Sequence, residues 1–140
     1  MKTPKQADIL STGDEVLTGA VVDSNAAYIA RKLIETGLRI RSHICIGDDE
    51  EQLAAALAEV GGRSDIAVIT GGLGPTVDDV TAAAAARAAG VELAENPIAR
   101  SYIEAFFKKY FREVTESDVK QALLPVGAEP IDNPVGTAPG

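Results

Sequence analysis

The sequence predicts an α/β protein, a three-layer α/β/α sandwich whose sheet is mostly parallel. Two observations lead to this class. Short apolar runs that end in turn residues alternate along the chain with longer segments whose apolar residues recur at helical spacing. Parallel strands need a long crossover, which a helix of this length supplies. Because that crossover is right-handed, helices are expected on both faces of the sheet.

Length and composition favour one soluble domain. The 140 residues carry a formal net charge of −8 at pH 7, and 46% of them are hydrophobic, which is ordinary for a globular protein. The acidic balance would repel a nucleic-acid backbone, so we expect no nucleic-acid partner. No apolar segment approaches the roughly 20 residues that cross a bilayer. We therefore expect a cytoplasmic protein without a membrane partner.

The first half of the chain alternates strands with helices. A strand is predicted at 7–13, a helix within 21–37, and a second strand at 38–47, where isoleucines alternate with polar residues. A second helix is predicted at 50–62 from its apolar stripe. The compact run DIAVI, residues 65–69, is expected to be a strand that is buried on both faces.

The second half opens with a glycine-rich loop, residues 70–79, followed by an alanine-rich helix. Asn96 and Pro97 predict the start of another helix, whose aromatic residues indicate packing. A shorter helix is expected over 117–124, and the chain closes on the turn-like sequence NPVGTAPG. Because a domain seldom finishes on a turn, we expect residues 1–140 to be one domain that is truncated at its carboxyl end.

The loop sequence TGGLGPTVDD raises the main functional question. It follows a predicted parallel strand, where open α/β sheets bind ligands, and its glycines would let the backbone approach an anion. It does not match G-x-x-x-x-G-K-[ST], because the lysine is missing. It does not match G-x-G-x-x-G either, because Val77 stands at the last glycine position. The alternative is a tight strand-to-helix turn that binds nothing.

Asp78 and Asp79 are the last two residues of this loop, and two carboxylates should repel a phosphate. In the first turn of a helix one aspartate needs no function, since the helix dipole favours it by about 0.3–1 kcal/mol. A divalent cation would make the pair compatible with phosphate, because magnesium takes one or two carboxylates plus substrate phosphates as ligands. Alternatively, one aspartate acts as a general base toward water.

A second polar segment, TGDEVLTG at residues 12–19, ends the first predicted strand. In a doubly wound sheet this segment lies at the same rim as the glycine loop. Asp14 and Glu15 are therefore candidate ligands, with the polar residues 23–25 close behind, and a solvated turn followed by a helix cap is the alternative. Thr137, in the terminal turn, could reach a phosphate or belong to a surface hairpin.

His43 and Cys45 share one face of the second predicted strand. A cysteine–histidine nucleophile pair is one interpretation, but lone core residues of these types are commoner. No orienting carboxylate stands nearby in the sequence. Cys45 is the only cysteine, which excludes an internal disulfide and a cysteine-rich zinc site.

Four stretches, taken together and in order, resemble the amino-terminal domain of the CinA (competence/damage-inducible protein) family. More widely, they resemble the molybdopterin-binding domain of the MoaB/MogA-like superfamily. The stretches are TGDEVLTG, VDSNAAYIARKL, TGGLGPTVDDVT and NPVGTAPG. The resemblance covers the chain from about residue 7 to its end. It implies a MogA-like three-layer fold and a domain that continues past Gly140 by about one strand and one helix.

Carried over position by position, the resemblance implies a pocket for a nucleotide or pterin phosphate, with a metal beside it. The implied phosphate- and nucleotide-binding residues are Thr12, Gly13, Asn25, Gly71, Gly72, Gly74, Thr76 and Thr137. Asp78 and Asp79 would be catalytic. They would also bind the metal, together with Asp14.

The resemblance also implies a choice between two activities. CinA-type domains are associated with hydrolysis of the pyrophosphate bond of ADP-ribose or FAD, with magnesium, cobalt or manganese and with potassium. The molybdopterin branch binds or adenylylates the pterin. Leu73 stands where the molybdopterin enzymes carry threonine, so the sequence is closer to the CinA version. Full-length CinA also has a nicotinamide-mononucleotide deamidase domain, of which nothing is present in these residues.

We therefore expect a hydrolase, a metal-dependent nucleotide pyrophosphatase that acts on ADP-ribose or a related dinucleotide. One alternative is a molybdopterin- or nucleotide-binding domain of molybdenum-cofactor biosynthesis without hydrolysis. Another is an oligomerisation module. We also expect a homo-oligomer, either a dimer or a trimer.

Overall fold

The computed structural model describes residues 5–140, which form two compact units. The first unit ends at Gly71 and the second runs from Gly72 to Gly140. The predicted class, α/β with a mostly parallel sheet, is confirmed. Among residues 5–140, no helix combines the length and the apolar character that a membrane crossing requires.

The first unit is a parallel sheet with helices between its strands. Along the chain it contains β1 (Gln6–Thr12), α1 (Asp14–Leu17), α2 (Ser24–Glu35), β2 (Arg39–Ile46), α3 (Glu50–Gly61) and β3 (Ile66–Thr70). The strand order is β2-β1-β3. The connection from β1 to β2 and the connection from β2 to β3 run in opposite directions across the sheet. Since crossovers are right-handed, α2 and α3 lie on opposite faces, as the three-layer prediction requires.

The central strand β1 is the most buried element of this unit. All of residues 7–12 are buried, so both faces of the strand are covered. Helix α3 contributes Leu53, Leu57 and Val60 to the core, which is the apolar stripe that predicted this helix. Because β1 has a strand on each side and helices above and below, the position of its carboxyl end is fixed on all sides.

The prediction that β3 is buried on both faces is wrong. Ile66 is 39% exposed, Ala67 is also exposed, and the rest of the strand is half-buried. Within the described residues β3 pairs with β1 alone, so one of its edges has no strand partner. An edge strand keeps part of its surface open. The apolar composition of DIAVI therefore identified a strand correctly, but not its place in the sheet.

The second unit combines helices with a short antiparallel pair of strands. It contains α4 (Thr81–Ala89), β4 (Leu93–Glu95), α5 (Pro97–Lys109), α6 (Glu116–Val119), a 3-10 turn (Lys120–Ala122) and β5 (Leu123–Pro125). β4 and β5 pair antiparallel. The predicted start of α5 is confirmed: Asn96 accepts hydrogen bonds from the backbone N–H groups of Ile98 and Ala99, both at 3.0 Å.

The predicted helix over 117–124 is only partly correct. The α-helix ends at Val119, and after one 3-10 turn the chain forms strand β5. Strand β4 was not predicted at all. Each of these strands has three residues, which is too short for an alternating pattern to show in sequence. Their pairing joins segments that are distant in the chain, so tertiary contact decides the conformation.

The aromatic residues of α5 only partly serve packing. Phe107 is buried in a cluster with Ala99, Ile103, Ala122 and Leu124. Phe111, just beyond the helix, is 99% exposed. The expectation that these aromatics indicate packing is therefore correct for Phe107 and wrong for Phe111.

A buried carboxylate ties β1 and β2 to the segment that follows α3. Asp8, fully buried in β1, accepts hydrogen bonds from the hydroxyls of Ser42 and Ser64. The guanidinium of Arg63 also donates to it, with Nε 3.3 Å from Oδ2. Burial alone would raise the pKa of Asp8. The hydrogen bonds and the charge of Arg63 outweigh burial, so the pKa lies below its ordinary value of 3.8.

We expect Asp8→Asn to lower the free energy of unfolding by about 2–4 kcal/mol, because it breaks a buried ion pair. Since the folded pKa of Asp8 is depressed, its contribution is complete above about pH 4 and is lost as pH falls through the folded pKa. Urea unfolding between pH 7 and pH 2 measures both effects. Asp65→Asn, at an exposed carboxylate of the same unit, is the control. Equal losses in the two variants would contradict the prediction.

Candidate functional site

A polar crevice of about 180 Å³ opens at the carboxyl ends of β1 and β3 in the first unit. This edge of a parallel sheet is where α/β proteins bind ligands. Three of the predicted binding residues, Thr12, Asn25 and Gly71, line it. Other polar residues in its wall include Ser11, Glu15 and Asp23. The sequence therefore located this crevice, although it did not identify Ser11.

Gly71 makes a close approach that only glycine allows. Its φ is +101°, and a Cβ at this position would lie 2.4 Å from the carbonyl oxygen of Thr12. An L-residue would therefore be strained in φ and would also clash with backbone. The Thr12 hydroxyl donates to the carbonyl oxygen of Gly47 at 3.3 Å. Gly71 and Thr12 thus shape the crevice, and the Thr12 hydroxyl already has a partner.

Gly13 and Asp14 hold the turn after β1 and do not line the crevice. The N–H of Gly13 donates to the carbonyl oxygen of Ile46 at 3.1 Å. Asp14 and Asp48 exchange hydrogen bonds, each backbone N–H donating to the other's carboxylate, at 3.2 and 3.1 Å. The contacts of Gly13 and Asp14 join the ends of β1 and β2.

Ser11, Asp23 and His43 form a hydrogen-bonded cluster at the crevice. His43 Nε2 lies 3.0 Å from Ser11 Oγ and 3.1 Å from Asp23 Oδ2. In a serine nucleophile's triad, the two ring nitrogens of the histidine have separate partners. Here one nitrogen makes both contacts, so this is not the relay that activates a serine.

The same cluster fixes the start of α2. Asp23 Oδ1 accepts the N–H of Ala26 at 2.9 Å and so caps the helix. Burial would raise the pKa of Asp23. Hydrogen bonds from Ser11 and Ala26, and the contact with His43, outweigh burial and lower it. Asn25, in the first turn of this helix, donates from Nδ2 to Thr70 Oγ1 at 3.2 Å. The cap therefore positions Asn25 over the end of β3.

Cys45 is not activated as a nucleophile. Burial raises the pKa of its thiol, and the negative charges of Asp23 and Glu15 raise it further, so the thiol stays protonated at neutral pH. His43 makes its hydrogen bonds to Ser11 and Asp23. The residues next to His43 in the sequence include no carboxylate that could orient it. The fold supplies one by bringing Asp23 within 3.1 Å of His43 Nε2.

The glycine loop borders a smaller pocket, of about 40 Å³, in the second unit. Gly72 and Gly74, which the sequence predicts as binding residues, line it with Leu73. Asp79 and two residues of the 3-10 turn, Lys120 and Gln121, complete its polar wall. Aliphatic side chains form the rest. The other predicted residues of this unit, Thr76, Asp78 and Thr137, are not in the lining.

Asp79 holds the glycine loop in shape. Its Oδ2 accepts hydrogen bonds from the backbone N–H of Thr76 at 2.9 Å and from the Thr76 hydroxyl at 2.7 Å. A Cβ on Gly74 would lie 2.6 Å from the same oxygen. Burial would raise the pKa of Asp79, but hydrogen bonds from Thr76 and the backbone of Gly74, with the charge of Lys120, lower it. The family resemblance assigns Thr76 to a phosphate. In the structure its N–H and hydroxyl donate to the carboxylate of Asp79 instead.

Lys120 supplies a cation at this loop. Its Nζ donates to the carbonyl oxygen of Thr76 and, at 2.9 Å, to that of Asp79. The loop sequence lacks the lysine of the G-x-x-x-x-G-K-[ST] motif, and here a lysine arrives from the 3-10 turn. Lys120 falls inside the stretch predicted as a helix, 117–124. The sequence therefore gave no sign that Lys120 contacts the glycine loop.

The start of the helix after the loop differs from the sequence-based expectation. Helix α4 begins at Thr81, so Asp78 and Asp79 precede the helix and do not lie in its first turn. Asp78 is exposed.

Among residues 5–140, the backbone N–H groups of Gly72 and Leu73 have no hydrogen-bond acceptor. Within the same range, the N–H groups of Val77 and Asp78 likewise donate to no backbone oxygen, but Gly72 and Leu73 line the pocket and Val77 and Asp78 do not.

Thr137 lies in a closed turn at the end of the chain. Ile131 and Gly140 exchange backbone hydrogen bonds at 2.6 and 2.9 Å. Inside the turn, Asn133 Nδ2 donates to the carbonyl oxygen of Ala138 at 2.9 Å. This geometry matches the surface-hairpin alternative, and the assignment of Thr137 to a phosphate stays a prediction.

A family described as "Probable molybdopterin binding domain" matches residues 8–140. A CinA-like protein of Desulfosudis oleivorans is 49% identical over 134 residues, which are 96% of this chain and 32% of that protein. A CinA-like protein of Citrifermentans bemidjiense is 50% identical over 132 residues, 94% of this chain and 32% of that protein.

Another relative carries a different name. A protein of Shewanella oneidensis named nicotinamide-nucleotide amidohydrolase PncC is 44% identical over 133 residues, 95% of this chain and 31% of that protein. The chain thus spans about a third of the length of the curated relatives it matches. The whole-protein names of these relatives describe much longer chains.

Solved structures share the fold. The CinA protein of Thermoplasma acidophilum, described as having unknown function, superposes with a TM-score of 0.89 at 38% identity. The match covers 97% of this chain and 80% of that one. MoaB of Pyrococcus furiosus, a tungsten cofactor synthesizing protein, superposes with a TM-score of 0.57 at 18% identity, over 78% of this chain and 66% of that one. The second likeness concerns the fold alone.

We expect Gly71→Ala to lower the free energy of unfolding by about 2–4 kcal/mol, because it combines an unfavourable φ with a backbone clash. Gly62→Ala is the matched control. Gly62 has a φ of −80°, and its Cβ would meet no atom closer than 3.5 Å. We expect the control to be neutral or stabilised by up to about 1 kcal/mol. Chemical denaturation measures the stability of both variants. Equal denaturation midpoints would contradict the predicted clash between a Cβ at residue 71 and the carbonyl oxygen of Thr12.

Proposed function

Because the chain belongs to the probable molybdopterin-binding-domain family, and within it to the CinA-like proteins, we propose that it is a metal-dependent nucleotide pyrophosphatase. The substrate in this proposal is ADP-ribose or a related dinucleotide. One observation carries the proposal: Lys120 and the glycine loop line the same pocket. Backbone N–H groups without obstructing side chains and an ammonium group are the ligands that phosphate prefers.

In this proposal the loop divides its donors between two anions. The N–H groups of Gly72 and Leu73 bind one phosphate of the diphosphate, and Lys120 offsets its charge. The carboxylate of Asp79 binds Thr76 and so keeps the loop ordered. A loop that is already ordered loses little conformational entropy when the ligand arrives, which favours binding.

The described residues fit a cation that arrives with the substrate better than a preformed metal centre. Within residues 5–140, no group of three or more His, Cys, Asp or Glu side chains could hold a metal ion. Magnesium-like ions often bind one or two carboxylates plus substrate phosphates, and exposed Asp78, next to the loop, suits that mode. When bound, the cation would polarise a phosphoryl oxygen and lower the pKa of a bound water.

The two predicted catalytic aspartates have different surroundings. Asp79 accepts several hydrogen bonds and has a lowered pKa, so it is a weak base and acts by positioning the loop. Asp78 is exposed. We assign to Asp78 the contact with the cation or with the attacking water, and to Asp79 the support of the donors.

The second candidate function is binding of molybdopterin or its nucleotide without hydrolysis. The description of the matching family favours it. The loop geometry favours it as well, since the Thr76 donors, which could otherwise stabilise a transition state, are bound to Asp79. In this case the pocket would hold a phosphate and leave its ester intact.

The enzyme proposal predicts release of AMP from ADP-ribose with magnesium, cobalt or manganese, in the presence of potassium. Asp78→Asn should lower kcat by about 100-fold or more while ADP-ribose binding persists, because it removes a group that acts in the reaction. Asp79→Asn should lower kcat and the melting temperature together, because the loop loses a charged acceptor. Chromatographic quantification of AMP and a thermal shift series measure these effects.

Asp132→Asn, at an exposed carboxylate outside the pocket, is the control and should retain full activity. No turnover with any of the three cations would remove the enzyme proposal. Tight binding of a pterin by calorimetry, with no hydrolysis of either compound, would establish the second candidate instead.

A further inference from the structure

Phe111, just after helix α5, combines two unfavourable features. The backbone N–H of Arg112 donates to the carbonyl oxygen of Phe107 at 3.0 Å, and that of Phe111 donates to the carbonyl oxygen of Lys108 at 3.2 Å. This pair of bonds ends the helix with Phe111 in the left-handed conformation, at a φ of +53°, where glycine or asparagine normally stands. A bulky residue is strained at this φ. Phe111 is also 99% exposed, so packing within the chain does not offset the strain.

A residue that breaks two local rules without a gain inside the fold indicates a contact with another molecule. A pocket of about 220 Å³ lies at the same end of α5, lined by Phe106, Phe107, Tyr110 and Arg112. The ring centroids of Phe106 and Tyr110 lie 4.9 Å apart, and the guanidinium of Arg112 lies 5.3 Å from the ring centroid of Phe107. An aromatic wall with one cation favours another aromatic ring, through stacking and cation–π contact.

The charges of this segment fall into two groups of opposite sign. Positions 108–112 carry three cations, and positions 113–118 carry three carboxylates. The cations are Lys108, Lys109 and Arg112, and the carboxylates are Glu113, Glu116 and Asp118. A two-fold axis that passes between the groups would place the cations of one copy against the carboxylates of the other. The segment is therefore complementary in charge to a second copy of itself.

We propose that residues 106–118 dock against the same residues of a second copy, with Phe111 of each copy in the aromatic pocket of the other. The contact is isologous, so ring meets pocket twice and cations meet carboxylates twice. Self-complementarity identifies the partner, because the segment supplies both the ring and the pocket, and both signs of charge. An anionic membrane would attract the cations but repel the carboxylates that follow them. This inference is independent of the proposed function, and it gives a surface to the homo-oligomer that we expect from the sequence.

Phe111→Gly removes the ring and relieves the left-handed conformation. We expect the wild-type chain to show a monomer–dimer equilibrium in sedimentation velocity. The variant should raise the dimer dissociation constant about 30-fold or more, as truncation of a hot-spot residue does. At a concentration where both proteins are monomeric, the variant should melt at a higher temperature than the wild type. Ile98→Ala, at a half-exposed apolar residue in the first turn of α5, is the control and should leave the dissociation constant unchanged.

Charge reversals test whether the partner is a second copy. Lys108→Glu with Lys109→Glu makes the segment mainly acidic, and Glu113→Lys with Glu116→Lys makes it mainly basic. Each double variant alone should dimerise about 10-fold more weakly than the wild type, or worse, because like charges then meet. An equimolar mixture should form the mixed dimer in preference to either homodimer, since both charge contacts are then attractive. Native mass spectrometry distinguishes the three dimers by mass.

Several results would overturn the inference. A wild-type chain that stays monomeric at its highest soluble concentration would remove the second copy as the occupant. Dimers that are equally stable in Phe111→Gly would assign dimerisation to a different surface, and a lower melting temperature of this variant as a monomer would show that the ring has a structural role. Random pairing of the two charge variants would show that these charges do not meet. Phosphatidylserine vesicles that bind the wild type but not Phe111→Gly would assign the surface to lipid instead.

Discussion

The hydrogen bonds that Thr76 donates to Asp79 are the interaction on which the second unit's pocket depends. They fold the glycine loop around an internal anion, and they explain why residue 74 is glycine, since a Cβ there would reach the same carboxylate oxygen. In the proposed function, with Thr76 bonded to Asp79, the N–H groups of Gly72 and Leu73 are the ones that bind the ligand.

Under the proposed function, this arrangement explains how an acidic chain with a net charge of −8 would bind a phosphate. One of the two aspartates that follow the loop is bound by the loop's own donors, and its charge lies beside that of Lys120. The electrostatic conflict between carboxylates and phosphate is thereby reduced within the protein. In the proposed function, a cation that arrives with the substrate would have to offset mainly the charge of Asp78. It would not have to bridge two free carboxylates.

Much of the fold follows from local pattern, whereas much of the site does not. Periodicity identified β1, β2, α2 and α3, because these elements are long and each buries one face or both. The loop after β3 and the polar segment after β1 indicated a binding edge of the sheet, and the family resemblance added Thr12, Asn25, Gly71, Gly72 and Gly74, which do line pockets. Lys120 and Gln121 gave no such signal. They directly precede β5, which pairs with β4 and packs against α4, and these contacts between distant segments are encoded by neither segment alone.

In the proposed function, Gly72 and Leu73 bind phosphate while Asp79 holds the rest of the loop in place. Titration of the ¹⁵N-labelled chain with inorganic pyrophosphate, followed through backbone amide chemical shifts, tests it most directly. We expect saturable shifts of the Gly72 and Leu73 amides, with the Thr76 amide nearly unchanged because it stays bonded to Asp79. A shift of Thr76 equal to or larger than theirs, or no shift of any of the three, would contradict it.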